Sequence, residues 1–359
     1  MQSGRHALRL TRCCSVFVPP VIRSSMSSPS APADLAITIE DVKRARERIA
    51  GKASITPVLT CSTMDRLATE AARRADPAAP AVQLFFKCEN LQRIGAFKFR
   101  GAVNAVQACR QACATDEERS KLVFVTHSSG NHAQALAHAA TLCGNRSIIV
   151  MPHNAPQVKV DAVRDYGAEI VRCDNTQAAR EAMAEIQTKM HAPMSRFVPP
   201  YDDPLVMAGQ GTLALELLEQ VPNLDALVVP VGGGGMLSGV ALAARETKPD
   251  LRVYAAEPKD ADDAYQSIRA GERIPLPKPT QTVCDGLRTS LGLLTYPVIR
   301  NKVSGVVTAS EEEVIKHMKL VFERMKIVIE PSAAVSATQQ HTTRMHASQT
   351  RQFDSTCAV

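Results

Sequence analysis

Phe97-Lys98-Phe99-Arg100-Gly101-Ala102 is the stretch that decides how this chain reads. It follows an apolar, strand-like segment, Val82 to Lys87, and opens a helix-like one, Ala102 to Cys113. A lysine between two phenylalanines sits poorly on a solvated face. Burial disfavours the ammonium, lowers its pKa and makes the amine a Schiff-base former. Taken alone, the same pattern describes a lysine snorkelling from a helix start. A second stretch changes the balance. The tetraglycine Gly232 to Gly235 follows the apolar run Ala226-Leu227-Val228-Val229-Pro230-Val231 and precedes a helical stretch, Met236 to Ala244. Strand, glycine loop and helix N-terminus together make an anion cradle of backbone N–H groups. A buried lysine and a phosphate cradle in one α/β chain point to pyridoxal 5'-phosphate (PLP) as cofactor.

The 359 residues suffice for two lobes and a large core, and 45% of them are hydrophobic. The net charge of +6 comes from dispersed basic residues, and with 4% aromatics and no Trp the chain offers few stacking platforms. Nucleic acid is therefore excluded as a partner. No apolar run approaches the ~20 residues of a membrane span. The ten cysteines show no Cys-x-x-Cys and no zinc-ligand spacing, and read as small apolar residues in a reducing compartment. Residues 1–33 stand apart, with Arg5, Arg9, Arg12 and Arg23, seven serines, and no acid before Asp34. They read either as a mitochondrial or other organelle transit peptide, or as a disordered extension of a cytoplasmic protein that starts at Met26.

From Asp34 onward, strands and helices alternate. Thr38 to Ile49 reads as a helix with Thr38 as N-cap and Asp41 at N3. Strands are expected at Val82–Lys87, Lys121–Thr126, Ser147–Met151, Glu169–Arg172, Ala226–Val231 and Arg252–Ala256. Helices are expected at Asn131–Cys143, Pro156–Tyr166, Thr176–Met190, Ala208–Gln220 and Met236–Thr247. This alternation predicts a two-lobed α/β fold of mostly parallel sheets flanked by helices, with ligands beyond the carboxyl ends of the strands. Residues 34–120 and 203–338 are expected to form a large cofactor-binding domain, and 121–202 a small one. The proline-containing segment Gly271 to Thr282 reads as an ordered surface loop.

Thr126-His127-Ser128-Ser129-Gly130-Asn131-His132 joins a strand to a helix. Such a loop serves as a helix cap, or its N–H groups and hydroxyls receive a carboxylate. With the lysine run, Ala208-Gly209-Gln210-Gly211-Thr212 and Gly232-Gly233-Gly234-Gly235-Met236, it resembles the fold-type II PLP enzymes of the tryptophan synthase β class. Within that class the chain resembles the serine/threonine dehydratase family, and in particular its serine-racemising members, from about Ile37 to about Ser336.

The resemblance implies interconversion of L- and D-serine, with α,β-elimination of serine to pyruvate and ammonia. The alternatives are a threonine/serine dehydratase that does not racemise, or a catalytically impaired isoform. Lys98 would hold PLP and act as base on one face of Cα, with Ser129 as the acid/base on the other. Gly232, Gly233, Gly234, Gly235 and Met236 would bind the phosphate, and Asn131 the cofactor's phenolic oxygen. Ser128, Ser129, Asn131 and His132 would receive the substrate carboxylate. Glu257, Ala261 and Asp263 would hold Mg²⁺, or Ca²⁺ or Mn²⁺; the two carboxylates also read as a solvated acidic loop. Gln134, Tyr166 and Lys326 match part of an ATP effector site between the subunits of a homodimer. Lys43, Cys61 and Ile94 depart from it, and Tyr201 stands where Asn is usual in the cofactor wall. After Ser336 the family continues into an apolar strand and a Ser-Gly-Gly-Asn turn whose hydroxyl partners the pyridine nitrogen. Here residues 339–359 read as a polar tail with neither, so the sheet is expected to lack a strand.

Overall fold

The computed structural model describes residues 35–276, 280–338 and 355–358. The expectations for residues 1–33, and for Pro277 and Pro279 of the proline-containing loop, lie outside the described residues. The chain opens with α1 (Ile39–Ile49), β1 (Val58–Leu59), α2 (Ser62–Ala75), β2 (Val82–Lys87), α3 (Lys98–Ala112) and α4 (Asp116–Lys121). It continues through β3 (Val123–His127), α5 (Asn131–Leu142), β4 (Arg146–Pro152), α6 (Gln157–Asp165), β5 (Glu169–Cys173), α7 (Gln177–Met190) and β6 (Ser195–Phe197). Then come α8 (Pro204–Gln220), β7 (Ala226–Pro230), α9 (Gly235–Thr247), β8 (Arg252–Pro258), α10 (Asp263–Ala270), α11 (Thr295–Lys302), β9 (Gly305–Ala309), α12 (Glu311–Met325), α13 (Pro331–Thr338) and β10 (Ser355–Ala358).

Two sheets result. One has the order β1-β2-β10-β7-β8-β9 and is parallel except for the β1–β2 pair; the other, β5-β4-β3-β6, is wholly parallel. The β-branched interiors of β3, β4 and β7 are buried, as strands covered by helices on both faces must be. Among the described residues, no helix is long and apolar enough to cross a membrane.

Several boundaries differ from expectation, for local reasons. The strand expected from Lys121 begins at Val123, because Thr115 and Glu118 form a capping box that winds Asp116–Lys121 into α4. β1, β6 and β9 carried too few alternating residues to stand out. The expectation that the tail supplies no strand is corrected: Ser355–Ala358 lies parallel between β2 and β7, with Ala358 opposite both Phe85 and Leu227. Backbone pairing on two sides holds that strand, so its composition gave no warning.

Helices α3, α8 and α9 touch backbone to backbone. A Cβ on Gly101 would lie 2.8 Å from Val206 O, and one on Gly209 2.6 Å from Gly101 Cα. One on Gly211 would lie 2.7 Å from Gly239 O, and one on Gly239 would collide with Met207 O. Gln210 Oε1 accepts the Gly101 N–H at 3.1 Å. These contacts fix the starts of α3 and α9 relative to α8. Beside them the fully buried Arg100 pairs with Glu89 (Nε–Oε2 2.8 Å) and Glu216 (Nη1–Oε2 2.9 Å), and Glu216 also pairs with Lys87 at 2.5 Å. Removing one member strands the others in low dielectric at a cost of ~3–5 kcal/mol.

Truncation after Thr338 is expected to lower the melting temperature by ~5 °C or more and to promote aggregation, since β2 and β7 lose the strand between them. An unchanged melting curve would mean that β10 is not part of the sheet in solution.

Candidate active site

Lys98 is the first residue of α3, half-buried at the cleft between the two sheets. Its Nζ donates to Pro200 O at 2.6 Å and lies 5.3 Å from the Phe97 ring centroid. Burial pulls the amine down to about 8, and the charge of Glu330 opposes that only in part.

The tetraglycine connects β7 to α9. Gly234 has φ +88°, which only glycine adopts without strain. A Cβ on Gly232 would lie 2.9 Å from Leu287 Cα, one on Gly233 2.5 Å from the Tyr201 ring, and one on Gly235 2.8 Å from Tyr201 Cα. The loop is fixed from behind, where Gly233 O accepts Thr295 Oγ1 at 2.8 Å and Gly292 N at 3.2 Å. Asp202 in turn accepts the N–H groups of Leu293, Leu294 and Thr295. The orphan N–H groups of the first turn of α9, which includes Met236, are available to an anion at this end.

The third part is the junction of β3 and α5. Ser128 Oγ accepts Gly130 N at 3.2 Å, Ser129 is half-buried in the bend, and Asn131 opens the helix. Asn131 Nδ2 donates to Glu330 Oε2 at 2.9 Å. His132 departs from expectation. Its ring is buried with Nε2 on Val198 O at 2.9 Å, and burial, with the Lys98 charge second, pulls it to about 3. Its imidazole is neutral, and its Nδ1 is buried with no partner among the described residues.

Glu257 ends β8 and Asp263 opens α10, both buried. Glu257 accepts Ala264 N (3.2 Å) and Tyr265 N (2.7 Å); Asp263 Oδ2 accepts Leu291 N at 2.8 Å. Burial raises Glu257 well above the carboxylate range and Asp263 to about 7, and the Asp263 charge pushes Glu257 further. Ala261, in the short turn between them, is buried too. Two desolvated carboxylates and a nearby carbonyl suit a hard cation, not a solvated loop. Gln134 on α5 and Tyr166 after α6 belong to the four-stranded-sheet side, where the Tyr166 ring lies tilted against His138 with centroids 5.0 Å apart. Lys326 caps α12 on the other side with φ +58°. The structure does not bring these three together within one chain.

Residues 56–347 match the family model described as pyridoxal-phosphate dependent enzyme. The chain belongs to that family. It is 45% identical to serine racemase of Homo sapiens over 303 residues (84% of this chain and 84% of that protein), and 47% identical to serine racemase of Arabidopsis thaliana over 301 residues (84% of each). Among solved structures, maize serine racemase superposes with TM-score 0.81 at 39% identity, covering 90% of this chain and 92% of that one. A T.th. threonine deaminase superposes with TM-score 0.77 at 36% identity, covering 89% and 96%.

The residues of this PLP enzyme fit the cofactor. Lys98 is a desolvated amine, and the glycine cradle has no room for a single Cβ. Three cleft residues escaped the sequence. Tyr201 was noted only as a departure, yet its ring covers Gly233. Glu330 meets Asn131 across the cleft. Arg180 of α7 has a buried Nε with no acceptor among the described residues, and its charge reaches His127, beside Ser128. Neither Glu330 nor Arg180 sits in a motif; only the fold brings them to the site.

In cofactor-free protein, acylation of Lys98 as a function of pH is expected to show a midpoint near 8. A midpoint at the ordinary lysine value of 10.5 would contradict the desolvated amine.

Proposed function

We propose that this chain interconverts L- and D-serine and eliminates serine to pyruvate and ammonia. The observation that carries the reading is 44–47% identity to serine racemases along 83–85% of the chain, with a desolvated lysine and a glycine cradle meeting at one cleft. PLP, when bound, supplies the sink for the electrons left at Cα as its proton departs. We assign Lys98 to hold it, Gly232 to Gly235 and the start of α9 to take its phosphate, and Asn131 to contact its ring oxygen. Residues 34–120 with 203–338 form the cofactor-holding domain in this reading, and 121–202 the small one.

Lys98 is our base on one face of Cα, because it is neutral above about 8. One base alone returns a proton to the side it left, so racemisation needs a second group. We assign that role to Ser129. A free hydroxyl is a poor acid or base at neutral pH, but Ser129 immediately precedes the N-cap of α5, whose positive dipole end favours the anionic form. The hydroxyls of Ser128 and Ser129, the first N–H groups of α5 and the Arg180 guanidinium are our candidates for the substrate carboxylate. Loss of the β-hydroxyl as water after the same deprotonation leaves 2-aminoacrylate, which water then hydrolyses to pyruvate and ammonia.

Glu257, the Ala261 carbonyl and Asp263 are proposed to hold Mg²⁺, or Ca²⁺ or Mn²⁺, tying the end of β8 to the start of α10. A second copy of the chain is proposed to cover the apolar patch of Ile55, Leu91, Phe322 and Val328, which are 80%, 52%, 59% and 74% exposed. Asn90 Nδ2 joins two parts of that patch through Val328 O at 3.0 Å. Lys326 borders it, so a nucleotide effector would meet Lys326 of one subunit with Gln134 and Tyr166 of the other.

Replacing Ser129 with alanine is expected to cut racemisation of L-serine at least ~100-fold while sparing much of its elimination. Equal racemisation by parent and Ser129→Ala would remove the two-base reading and leave the dehydratase. Chelator is expected to lower the melting temperature of the parent protein but not of Asp263→Ala, since a ligand of the native state alone stabilises by mass action. A parent melting curve indifferent to chelator and to added Mg²⁺ would discard the metal.

A further inference from the structure

Glu330 enters the cleft from outside the lysine, serine and glycine motifs. It immediately precedes α13, and its carbonyl accepts the N–H groups of Ala333 (3.0 Å) and Ala334 (3.3 Å), so its backbone is held as the residue that opens that helix. The turn facing it is pinned to the same helix: Gly286 N donates to Ser332 Oγ at 3.2 Å, and a Cβ on Gly286 would lie 3.9 Å from Glu330 Oε1. From this fixed base the carboxylate reaches across to α5, where Oε2 accepts Asn131 Nδ2 at 2.9 Å. Its charge also reaches two buried groups. It opposes the desolvation of Lys98, and it adds to the burial that raises the Cys284 thiol to about 11.

An ionised carboxylate only accepts hydrogen bonds. Placed against the Asn131 amide, it selects the nitrogen end. A flipped amide would set Oδ1 against Glu330 and lose the bond. One Nδ2 N–H is thus committed, and the other remains a donor for an oxygen acceptor in the cleft. Lysine at this position, or no acceptor at all, would leave the amide free to turn.

We propose that Glu330 is a positioning residue of the site, a carboxylate that spans the cleft, locks the orientation of the Asn131 amide and joins the helix of one lobe to that of the other. The inference rests on Lys98 and Asn131 being the residues that hold PLP. Its consequence is a division of labour. The hydrogen bond to Asn131 presents the amide to the ring oxygen, while the negative charge supports a protonated nitrogen at Lys98. The charged or titratable groups that face Lys98 are Glu330, at the start of α13, and His132 of α5, and the latter is neutral. Loss of Glu330 therefore leaves desolvation of Lys98 unopposed.

The test uses the full chain and the variants Glu330→Gln and Glu330→Ala. Borohydride reduction of the PLP-loaded parent with peptide mapping comes first. A tag on a lysine other than Lys98 sinks the cofactor assignment itself, independently of Glu330. PLP affinity of cofactor-free protein and the pH midpoint of Lys98 acylation are then measured. Glu330→Gln keeps an acceptor for Asn131 and loses the charge. It is expected to bind PLP within about threefold of the parent, with its Lys98 midpoint lowered by about half a pH unit. Glu330→Ala loses both, and is expected to show the same midpoint shift and about tenfold weaker PLP binding. An unmoved midpoint in Glu330→Gln overturns the proposal, as does a folded Glu330→Ala that binds PLP like the parent. Should the alanine variant fail to fold, the midpoint of Glu330→Gln decides alone.

Discussion

The close approach of α3 and α9 to α8 governs the rest of the structure. Gly101 meets Gly209, and Gly239 meets Gly211, with no side chain between. Lys98 stands three residues before Gly101, and the cradle ends four residues before Gly239. The distance between the amine and the phosphate site is therefore set by backbone contacts, which are the least adjustable in a protein interior. The buried ion cluster of Arg100 with Glu89, Glu216 and Lys87 anchors the same end of α3 to β2 and α8. Such a cluster adds little net stability against an apolar equivalent but punishes any change of partner, so it holds one arrangement.

That scaffold explains the electrostatics of the cleft. Lys98 is driven toward its neutral form by desolvation, held in place by the Pro200 carbonyl, and opposed in that shift by the charge of Glu330, whose carboxylate bonds Asn131. His132, close by, is kept neutral by burial, with Nε2 on the Val198 carbonyl. The site thus has one amine near its neutral form, one carboxylate whose charge reaches it, and helix N-termini where anions are expected. Pyridoxal-phosphate chemistry asks for this distribution of charge, because the cofactor brings the phosphate and the substrate brings a carboxylate.

What the sequence revealed was local. Lys98, the glycine cradle and the Thr38–Asp41 cap were legible because each requirement is met within a few residues. Val82–Lys87 was legible because its alternation continues through a full strand. The four residues of β10 were not, since their pairing partners lie over a hundred residues away and their composition is unremarkable for a loop. Glu330 and Arg180 were missed for the same reason: neither sits in a motif, and only the fold sets them beside Asn131 and His127. His132 sat in a legible motif, yet which way its ring turns is decided by Val198, which follows the strand paired with β3.

The central claim is that one cleft removes the Cα proton of serine from one face and returns it on the other. The most direct measurement is turnover of L-serine in deuterium oxide by PLP-loaded protein, with chiral separation and isotope analysis of the products. The account predicts D-serine carrying deuterium at Cα, accompanied by pyruvate. Pyruvate without any deuterated D-serine would contradict it and leave an ammonia-lyase.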